Sequence, residues 1–268
     1  MRRWKPDMPE DTQACPPGRL LASRLLARHG ARAAFSLRTG GVSAPPFDSL
    51  NLGEDIGDNP AHVAENLRRF ASAAGLDVPP HRARQTHGVR ALVCTGAGCA
   101  HADEADILIG LDGAAVAVRT ADCVPVLLAD VEAGVVAAVH AGWRGTAAGA
   151  TGRAVSLMCD HGARPERMVA SIGPAIGPCC FEIGADTARA LARDDGEAKR
   201  HVRHQGGRHF ADLQALNALQ LRRAGLDESH IERIAACTCC DARRFFSWRR
   251  DGAGAGRHLA VVALVGRA

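Results

Sequence analysis

The segment Arg119–Thr146 constrains the possible folds of this chain more than any other stretch of the sequence. It contains two apolar runs rich in β-branched residues, Val124–Ala129 and Val135–Val139, separated by the short connection VEAG. Two such runs around a glycine-containing connection are typical of a β-hairpin. The pattern predicts that Asp130 pairs with Val135 across the turn, and this pairing sets the register of the whole hairpin.

Two residues with metal-binding or nucleophilic side chains occupy the open end of this predicted hairpin. In this register Cys123 lies opposite Gly142, and His140 lies opposite Pro125. Side chains alternate between the faces of a strand, so Cys123 and His140 project from one face, roughly 7–8 Å apart between Cα atoms. Such a pair binds a metal or forms a catalytic dyad; the alternative is a buried cysteine and a hydrogen-bonded core histidine. A register shift of one residue would put the two side chains on opposite faces.

The sequence after His140 predicts an anion-binding site close to these side chains. Residues 141–145 are too rich in glycine to continue a strand, and Thr146 then begins a predicted helix that extends to Asp160. Free N–H groups at a helix start, with Arg144 beside them, favour the binding of an anion. Metal-type ligands and an anion site within a few residues of each other indicate an active site.

Composition limits the functions open to the chain. With 268 residues and no repeat or low-complexity linker, it can bury a large core and is expected to form one domain. Aromatic residues make up 4% of the sequence, tyrosine is absent, and the net charge of +4 is spread along the chain, so no nucleic acid is expected as a partner. No stretch approaches the roughly 20 apolar residues of a membrane-spanning helix.

Residues 1–18 are expected to form a flexible N-terminal arm ahead of a single catalytic domain at residues 19–268. The arm mixes charges and prolines and lacks the apolar core of a signal peptide. The chain contains ten cysteines, and without an export signal reduced thiols are favoured over a disulfide framework. We therefore expect a cytoplasmic protein.

The order of apolar segments predicts mixed β-sheets with helices packed outside them, that is, an α/β (α+β) fold. The last strand is almost wholly apolar, which predicts a central position in its sheet. The predicted helices are 19–29, 60–74, 146–160, 184–193 and 211–224. The predicted strand regions besides the hairpin are 33–37, 82–93, 107–109, 115–119, 168–172, 231–235 and 259–265.

Several loops contain further candidate site residues. Arg38 precedes a Gly-Gly turn, where the backbone can approach a phosphate or carboxylate closely; a solvated loop arginine is the alternative. Catalytic zinc sites use three protein ligands and a water, so a third ligand is needed. His87 is the best candidate because Gln85 and Gly88 place it in a tight turn, but spacing alone does not decide among the twelve histidines. The cysteines and histidine of residues 94–105 match no strong zinc spacing, and this stretch is predicted to be a loop. The histidine-rich stretch 201–209 is predicted to be solvated.

An ordered set of motifs carries a family resemblance over residues 33–265. The strings are SLRTGGVS, FDSLNLGEDIGD, RQTHG, EADILIG, TADCVPVLL, VHAGWRGT, SIGPAIGPCCFEIG and FFSWRRDG. In this order they resemble the family known as YfiH-like, DUF152, laccase-domain or polyphenol oxidoreductase proteins, which includes a laccase-domain protein of animal immune cells. The resemblance implies a single-domain fold related to that of a deamidating bacterial toxin.

The resemblance also implies a set of site residues. One metal ion, usually zinc with copper as the alternative, would be bound by His87, Cys123 and His140, the same residues that the hairpin and the turn single out. Arg38 would bind substrate or phosphate. The chain departs from the family at Cys239, where an aromatic residue is usual, so the role of this additional thiol is open.

The resemblance leaves three classes of activity open, and the residues rank them. Multicopper laccases need many imidazoles, commonly as His-x-His pairs, and the sequence contains no such pair. A cell-wall or amide hydrolase with Cys123 as nucleophile and His140 as base is chemically reasonable. A cysteine that ligates zinc is not free to attack, however, so the hydrolase and the zinc enzyme exclude each other.

Purine nucleoside phosphorolysis with accompanying adenosine deamination is the activity that the resemblance implies most directly. The expected partners are phosphate and adenosine, inosine or S-methyl-5′-thioadenosine, and the expected assembly is a monomer or small homo-oligomer. The metal would orient the substrate or supply hydroxide, and Asp122 would transfer a proton or hold a ligand histidine. The other predicted catalytic and phosphate-binding residues are Arg38, Gln85, Arg144, Gly145 and Thr146.

Overall fold

The computed structural model describes residues 20–76, 78–193 and 195–265, so the predicted arm at residues 1–18 lies outside the described residues. The strands are β1 Leu20–Ala22, β2 Ala31–Ser36, β3 Arg82–Arg84, β4 Ala91–Thr95, β5 Ala100–Glu104, β6 Ile107–Leu111, β7 Val116–Thr120, β8 Val124–Asp130, β9 Val135–Ala141, β10 Val169–Ile172, β11 Glu182–Ile183, β12 Val202–Gln205, β13 Arg208–Ala211, β14 Ile231–Arg233 and β15 His258–Leu264. The helices are α1 Arg24–Arg28, α2 Pro60–Ala73, α3 Trp143–Ala147, α4 Ala150–Asp160, α5 Ala185–Ala192, α6 Gly196–Lys199, α7 Leu213–Arg223 and α8 Trp248–Asp251. None of the helices within these ranges has both the length and the hydropathy needed to cross a bilayer.

The predicted hairpin, β8 and β9, lies at the centre of a six-stranded sheet with the strand order β14-β10-β8-β9-β6-β4. Asp130 pairs with Val135 and Pro125 pairs with His140, so the predicted register is confirmed. Every residue of both strands is buried. This burial on both faces explains why the two runs are almost continuously apolar instead of alternating.

A four-stranded sheet in the order β1-β2-β15-β7 covers one face of the six-stranded sheet. The two sheets share one core cluster, to which the hairpin contributes Leu127 and Val136, β2 contributes Phe35, and β15 contributes Val262. β15 pairs with β2 on one side and with β7 on the other. Its predicted central position is therefore confirmed.

Helices cover the opposite face of the six-stranded sheet. Met158 of α4 and Leu216 of α7 lie in one cluster with Val126 and Leu128 of β8. α2 packs on the outer face of the four-stranded sheet, where Phe70 joins a third cluster. Successive residues of β8 thus contact different cores, as the two-residue period of a strand requires. The predicted architecture of mixed sheets with outer helices is confirmed.

Two segments near the edges of the sheets differ from the predictions. The predicted helix 19–29 is shorter, because Ser23 caps α1 and the residues before it pair with β2 as β1. Within the predicted loop 94–105, residues 100–104 form β5, which pairs in parallel with β3. Both differences arise from pairing with strands that are distant in sequence, which a local pattern does not contain.

The predicted helix from Thr146 to Asp160 is in fact two helices. α3 already begins at Trp143, after Gly142, and Gly149 in the left-handed conformation (φ 80°) separates it from α4. Glycine adopts this conformation at little cost. The backbone N–H of Thr146 is bonded to the carbonyl of Gly142 at 2.8 Å. The prediction of a helix start with free N–H groups at Thr146 is therefore wrong.

Candidate metal centre and substrate cavity

A single carboxylate, Asp106, shapes the turn that carries His87. Asp106 is fully buried and accepts the N–H groups of Thr86 at 3.1 Å, His87 at 2.9 Å and Gly88 at 2.8 Å. His87 has a φ of 63°, a value uncommon for residues other than glycine. The three N–H bonds to one carboxylate therefore hold the backbone of His87 in a conformation that few residues other than glycine adopt.

The same carboxylate fixes the orientation of His140. Nδ1 of His140 lies 2.7 Å from Oδ1 of Asp106, so Nδ1–H donates to the carboxylate and Nε2 is the ring nitrogen left to bind a metal ion. This is the arrangement of histidines that ligate metals. The ligand atoms of His87, Cys123 and His140 all lie within 4.8 Å of one another, and the two imidazole rings meet edge to face.

Gly142 leaves the space in which these three side chains meet. A methyl group added at Gly142 would lie 3.0 Å from Sγ of Cys123 and 3.1 Å from Cδ2 of His87, so a larger residue would crowd both. One sulfur and two imidazole nitrogens form a ligand set that zinc accepts, with a fourth position left for water or substrate. The residues present therefore fit a zinc ion of the catalytic type.

Electrostatics favour the deprotonated thiol that a metal requires. Burial opposes the thiolate, but charge and hydrogen-bond interactions with His140 and His87 outweigh this effect and lower the pKa of Cys123 to about 6. Burial also opposes the imidazolium, yet the interactions with Cys123 and Asp106 raise the pKa of His140 to about 9. Without a metal ion, Cys123 and His140 thus form a thiolate–imidazolium pair, and a bound cation would replace the imidazolium proton.

Asp122, at the entrance to β8, has a different set of partners. Its carboxylate accepts the hydroxyl of Thr238 at 2.6 Å, the hydroxyl of Ser247 at 3.0 Å and the N–H of Arg249 at 2.6 Å. These bonds join the end of the hairpin to two C-terminal segments. The carboxylate that holds a candidate ligand histidine is Asp106, so the prediction of this contact for Asp122 is wrong.

A cavity of about 560 Å³ opens onto the three candidate ligands. It reaches solvent, since His87, Asp55 and Trp248 on its wall are exposed. The wall combines apolar, aromatic, acidic and basic side chains, a mixture suited to a polar small molecule. The lining residues besides the three ligands are Gly53, Glu54, Asp55, Ile56, Arg84, Gln85, Arg119, Thr120, Ala121, Asp122, Ile176, Phe181, Trp248, Arg249 and Arg257.

The four arginines of this wall differ in how many of their donors are already used. Arg119 donates to Glu54 and to a backbone carbonyl, and Arg249 donates to two backbone carbonyls. Arg84 makes one ion pair through Nη2, and Arg257 bonds backbone carbonyls through Nη1 alone. Within the described part of the chain, Arg84 and Arg257 therefore each keep two guanidinium nitrogens without a protein hydrogen bond, against one each for Arg119 and Arg249.

The two arginines predicted as catalytic lie outside the cavity wall. Arg38 donates to the backbone carbonyl and the carboxylate of Asp48 and lies 4.7 Å from the centroid of the Phe246 ring. Arg144 is exposed and stacks on Trp143 at 4.6 Å. The structure therefore does not bring either guanidinium to the metal cluster.

The other predicted phosphate-binding residues are engaged in structural contacts. Gly145 and Thr146 are buried, and the hydroxyl of Thr146 accepts a bond from Asn217 at 3.0 Å; neither lines the cavity. Gln85 does line it, but its amide bonds the N–H and the carbonyl of Arg119. Gln85 thus fastens the turn of His87 to β7.

Asp106, Arg84 and Arg257 were not among the predicted site residues. Asp106 stands in the motif EADILIG and Arg84 in the motif RQTHG, so a closer reading of these motifs could have found both. Arg257 precedes β15, far along the chain from the metal cluster, and no local pattern marks it as a site residue.

Two further groups of side chains in the described ranges bring at least three possible ligand atoms within 4.8 Å of one another. In one of them, Nδ1 of His81 and Nε2 of His101 lie 2.8 Å apart, so the two imidazoles satisfy each other, with Cys99 beside them. The other group consists of Cys179, Cys180, Cys237 and Cys240.

A family model described as multi-copper polyphenol oxidoreductase laccase matches residues 32–265. The chain belongs to this family, which is also called the YfiH or DUF152 family. The matched range includes all residues of the metal cluster and of the cavity wall. The family membership predicted from the ordered motifs is therefore confirmed.

Two relatives in the YfiH family are both named purine nucleoside phosphorylase. The protein named purine nucleoside phosphorylase YfiH from Escherichia coli (strain K12) is 39% identical over 236 residues, which cover 88% of this chain and 95% of that protein. A protein named purine nucleoside phosphorylase from Deinococcus radiodurans is 39% identical over 232 residues, which cover 86% of this chain and 88% of that protein.

Solved structures of YfiH-family proteins share this fold. The hypothetical protein YfiH of Bacillus licheniformis superposes with a TM-score of 0.82 at 29% identity and covers 91% of this chain and 96% of that one. A Neisseria meningitidis protein superposes with a TM-score of 0.80 at 34% identity and covers 92% of this chain and 100% of that one. The mixed α/β fold is thus the fold of the family.

Proposed function

We propose that the chain is a purine nucleoside phosphorylase that acts on adenosine and inosine. The observation that carries this proposal is one cavity of about 560 Å³ faced by a thiolate–imidazole cluster, by two arginines with unused donors and by two aromatic rings. A nucleoside has a flat apolar base and a polar ribose, and the second substrate is a phosphate anion, so this mixture suits both. The relatives that carry the same name support the proposal.

Arg257 and Arg84 are the proposed phosphate-binding residues. A guanidinium recognises two phosphate oxygens at once through parallel N–H bonds. Arg257 is held by its Nη1 bonds and lies 5.3 Å from the centroid of the Trp248 ring, so its remaining donors are already oriented. Burial, followed by the charge of Arg119, lowers the pKa of Arg257; a phosphate anion would offset both effects.

The nucleoside is proposed to lie between the arginines and the metal cluster. Phe181 and Trp248 offer ring faces for the purine. Glu54 already forms ion pairs with Arg82 and Arg119. The neighbouring carboxylate of Asp55 is therefore proposed to accept hydrogen bonds from the ribose hydroxyls. A phosphate oxygen then bonds to the anomeric carbon while the bond to the purine nitrogen breaks, and the purine leaves with that electron pair.

Zinc is the proposed metal, with His87, Cys123 and His140 as its ligands. When bound there, zinc would supply Lewis-acid chemistry and thereby an accompanying adenosine deaminase activity. S-methyl-5′-thioadenosine is proposed as a further substrate, since Ile56 and Ile176 on the wall offer apolar contact to a methylthio group.

Incubation of the purified chain with inosine and phosphate tests the proposed function. Free hypoxanthine and ribose 1-phosphate are expected in equal amounts. Arg257→Lys should raise the KM for phosphate by roughly tenfold or more, because a charged hydrogen bond contributes about 1.5–3 kcal/mol. Arg189→Lys, which changes an exposed arginine of α5 paired with Asp186, is the matched control and should leave this KM unchanged.

Two results would contradict the proposed function. Base release that continues at the same rate without phosphate would identify a hydrolase instead. Copper-dependent oxygen uptake with a phenol, together with no ribose 1-phosphate from any purine nucleoside, would identify an oxidase.

A further inference from the structure

Two tight turns bring four cysteines together beside the substrate cavity. Cys179 and Cys180 lie in the turn that follows the Gly/Pro run after β10, where Gly177 accepts the N–H of Cys180 at 3.0 Å. Cys237 and Cys240 lie in the turn after β14, where the N–H of Asp241 bonds the carbonyl of Cys237 at 3.1 Å. We call these four residues the four-cysteine cluster.

A short parallel bridge holds the two turns side by side. Ala175 pairs with Cys237, the N–H of Thr238 bonds the carbonyl of Ala175 at 3.0 Å, and the N–H of Ala175 bonds the carbonyl of Ala236 at 3.3 Å. The relative position of the two turns is therefore fixed by backbone hydrogen bonds.

The distances within the four-cysteine cluster match a tetrahedral ion better than disulfides. Sγ of Cys240 lies 3.6 Å from Sγ of Cys179 and 3.3 Å from Sγ of Cys180, and all four sulfurs lie within 4.8 Å of one another. Four sulfurs at about 2.3 Å from one zinc ion stand roughly 3.8 Å apart. A disulfide requires about 2.05 Å between sulfurs, and all four thiols are free.

Backbone and side-chain donors compensate negative charge around the four-cysteine cluster. The N–H of Gly177 donates to Sγ of Cys237 at 3.2 Å. The Arg249 guanidinium bonds the carbonyl of Cys180, and the Arg250 guanidinium bonds the carbonyl of Cys239 at 3.1 Å. These two cations lie on the peptide groups next to the ligand sulfurs, where they would offset the excess charge of four thiolates around one dication.

The hydrogen bond between Cys179 and Cys237 shifts the pKa values of these two thiols in opposite directions. A hydrogen bond from the Cys179 thiol outweighs burial and, with the N–H of Gly177, lowers the pKa of Cys237 to about 5. That same bond to Cys237, with burial, raises the pKa of Cys179. Binding of a metal ion would replace the thiol protons of the cluster.

We propose that Cys179, Cys180, Cys237 and Cys240 bind a zinc ion in a closed structural site, separate from the cluster of His87, Cys123 and His140. Four thiolates in tetrahedral arrangement are a ligand set that selects zinc, and two of them follow the C-x2-C spacing of structural zinc sites. The ion would fix the turn that leads to Phe181 and the turn whose Thr238 binds Asp122, and so the wall of the cavity.

Metal analysis of the full chain, purified anaerobically from zinc-supplemented cells, tests this proposal without any activity assay. The double variant Cys237→Ser/Cys240→Ser should contain one zinc equivalent less than the unaltered chain, whatever the content of the other cluster. Cys123→Ala should keep the zinc of the four-cysteine cluster. The same variant prepared with cobalt in place of zinc should give the intense charge-transfer bands of a thiolate-rich tetrahedral ion. Cys239→Ser, in the same turn but outside the cluster, is the matched control and should lose no zinc.

Three outcomes would overturn the four-cysteine site. One is the unaltered zinc content in the double variant. Another is an equal loss of zinc from Cys239→Ser, and the third is a disulfide between the two turns in the anaerobic protein, found by mass spectrometry of alkylated peptides.

Cys240→Ser as a single change, checked by circular dichroism, separates loss of zinc from loss of fold. Because the readout is metal content, a failure here leaves the proposed phosphorylase activity untouched, and the converse also holds.

Discussion

Asp106 forms hydrogen bonds to two separate parts of the candidate metal centre, the turn around His87 and the ring of His140. Its two oxygens accept three backbone N–H groups of the turn around His87 and the Nδ1–H of His140. Burial opposes its charge, but the hydrogen bonds from His140 and Gly88 lower its pKa. One buried carboxylate therefore sets both the backbone of one candidate ligand and the tautomer of another.

Asp106→Asn should weaken metal binding although Asp106 is not itself a candidate ligand. An amide NH₂ in place of one oxygen would face N–H donors, so the turn and the tautomer of His140 would both be released. We expect the zinc dissociation constant to rise roughly 10–100-fold, measured by competition with a chromophoric chelator. Asp103→Asn, at an exposed position of β5, is the control. An unchanged dissociation constant in a folded Asp106→Asn protein would contradict this positioning role.

Gly142→Ala should disturb the metal centre through space alone. The added methyl group would meet Cys123 at 3.0 Å and His87 at 3.1 Å, so one of the two must move, and zinc content should fall. Gly152→Ala is the matched control, since a methyl group there meets nothing within 4 Å and should stabilise α4 by up to about 1 kcal/mol. If both variants retain full zinc, the space left by Gly142 is not required.

Cys123 and His140 were predictable because a strand pattern has a fixed period, whereas the choice of His87 rested on its turn and on the family motifs. Once Asp130 was paired with Val135, the positions of Cys123 and His140 followed, and the structure has this register. The proposed phosphate-binding residues were not predictable in the same way. Arg257 lies at the cavity because β15, which follows it, pairs with β7. The glycine-rich sequence around Arg144 does not determine the direction of its backbone.

Among the elements, the β8–β9 hairpin depends on a buried carboxylate at its turn. Asp130 accepts the N–H groups of Glu132 and Ala133 at 3.1 Å each, and the N–H of Arg164 at 2.9 Å. It also forms an ion pair with Arg167 at 2.8 Å. Burial opposes its charge, but the bonds from Arg164 and Arg167 lower its pKa.

Asp130→Asn should reduce the free energy of unfolding in a pH-dependent way. The folded-state pKa lies below the unfolded value of about 3.9, so the ionised carboxylate stabilises the fold above that value, and this contribution is lost as the pH falls through the folded-state pKa. We expect a loss of about 2 kcal/mol at pH 7 that shrinks below about pH 4, measured by urea unfolding. Asp186→Asn, with a carboxylate 92% exposed, should show neither effect. A loss independent of pH would contradict the role of the charge.

Elements with strong local signals were predictable, and elements made by distant pairing were not. Asn59 followed by a proline predicted the start of α2, and the side chain of Asn59 indeed caps it. β1 is only three residues long and β5 has a mixed sequence, and both are strands because β2 and β3 lie beside them. The break between α3 and α4 rests on the backbone conformation of Gly149, which a helical periodicity of apolar residues does not encode.

At the scale of the whole molecule, the six-stranded sheet separates two cores. Leu127 packs into the core shared with the four-stranded sheet, and Leu128, the next residue, packs into the core under the helices. Because both leucines belong to one strand that is buried on both faces, we propose that the two cores unfold together as one domain.

Leu127→Ala and Leu128→Ala should each lower the same single thermal transition. Removing a fully buried leucine side chain costs about 2–5 kcal/mol, and in one cooperative unit the effect is felt by both cores. Circular dichroism in the far and near ultraviolet should give coincident transitions for both variants. Val93→Ala, at an exposed position of β4, is the control. Two transitions, each shifted by only one of the variants, would contradict the single domain.

The antiparallel course of the hairpin also separates its two ends along the sheet. Seven residues of β8, at roughly 3.3 Å each, put about 20 Å between the turn at residues 131–134 and the ligand-bearing end. A fluorophore attached to the side chain at position 132, which is 72% exposed, would therefore leave the backbone of the turn intact and lie far from the candidate metal centre. The turn offers an attachment point from which the protein can be immobilised or tracked while the mouth of its cavity stays clear.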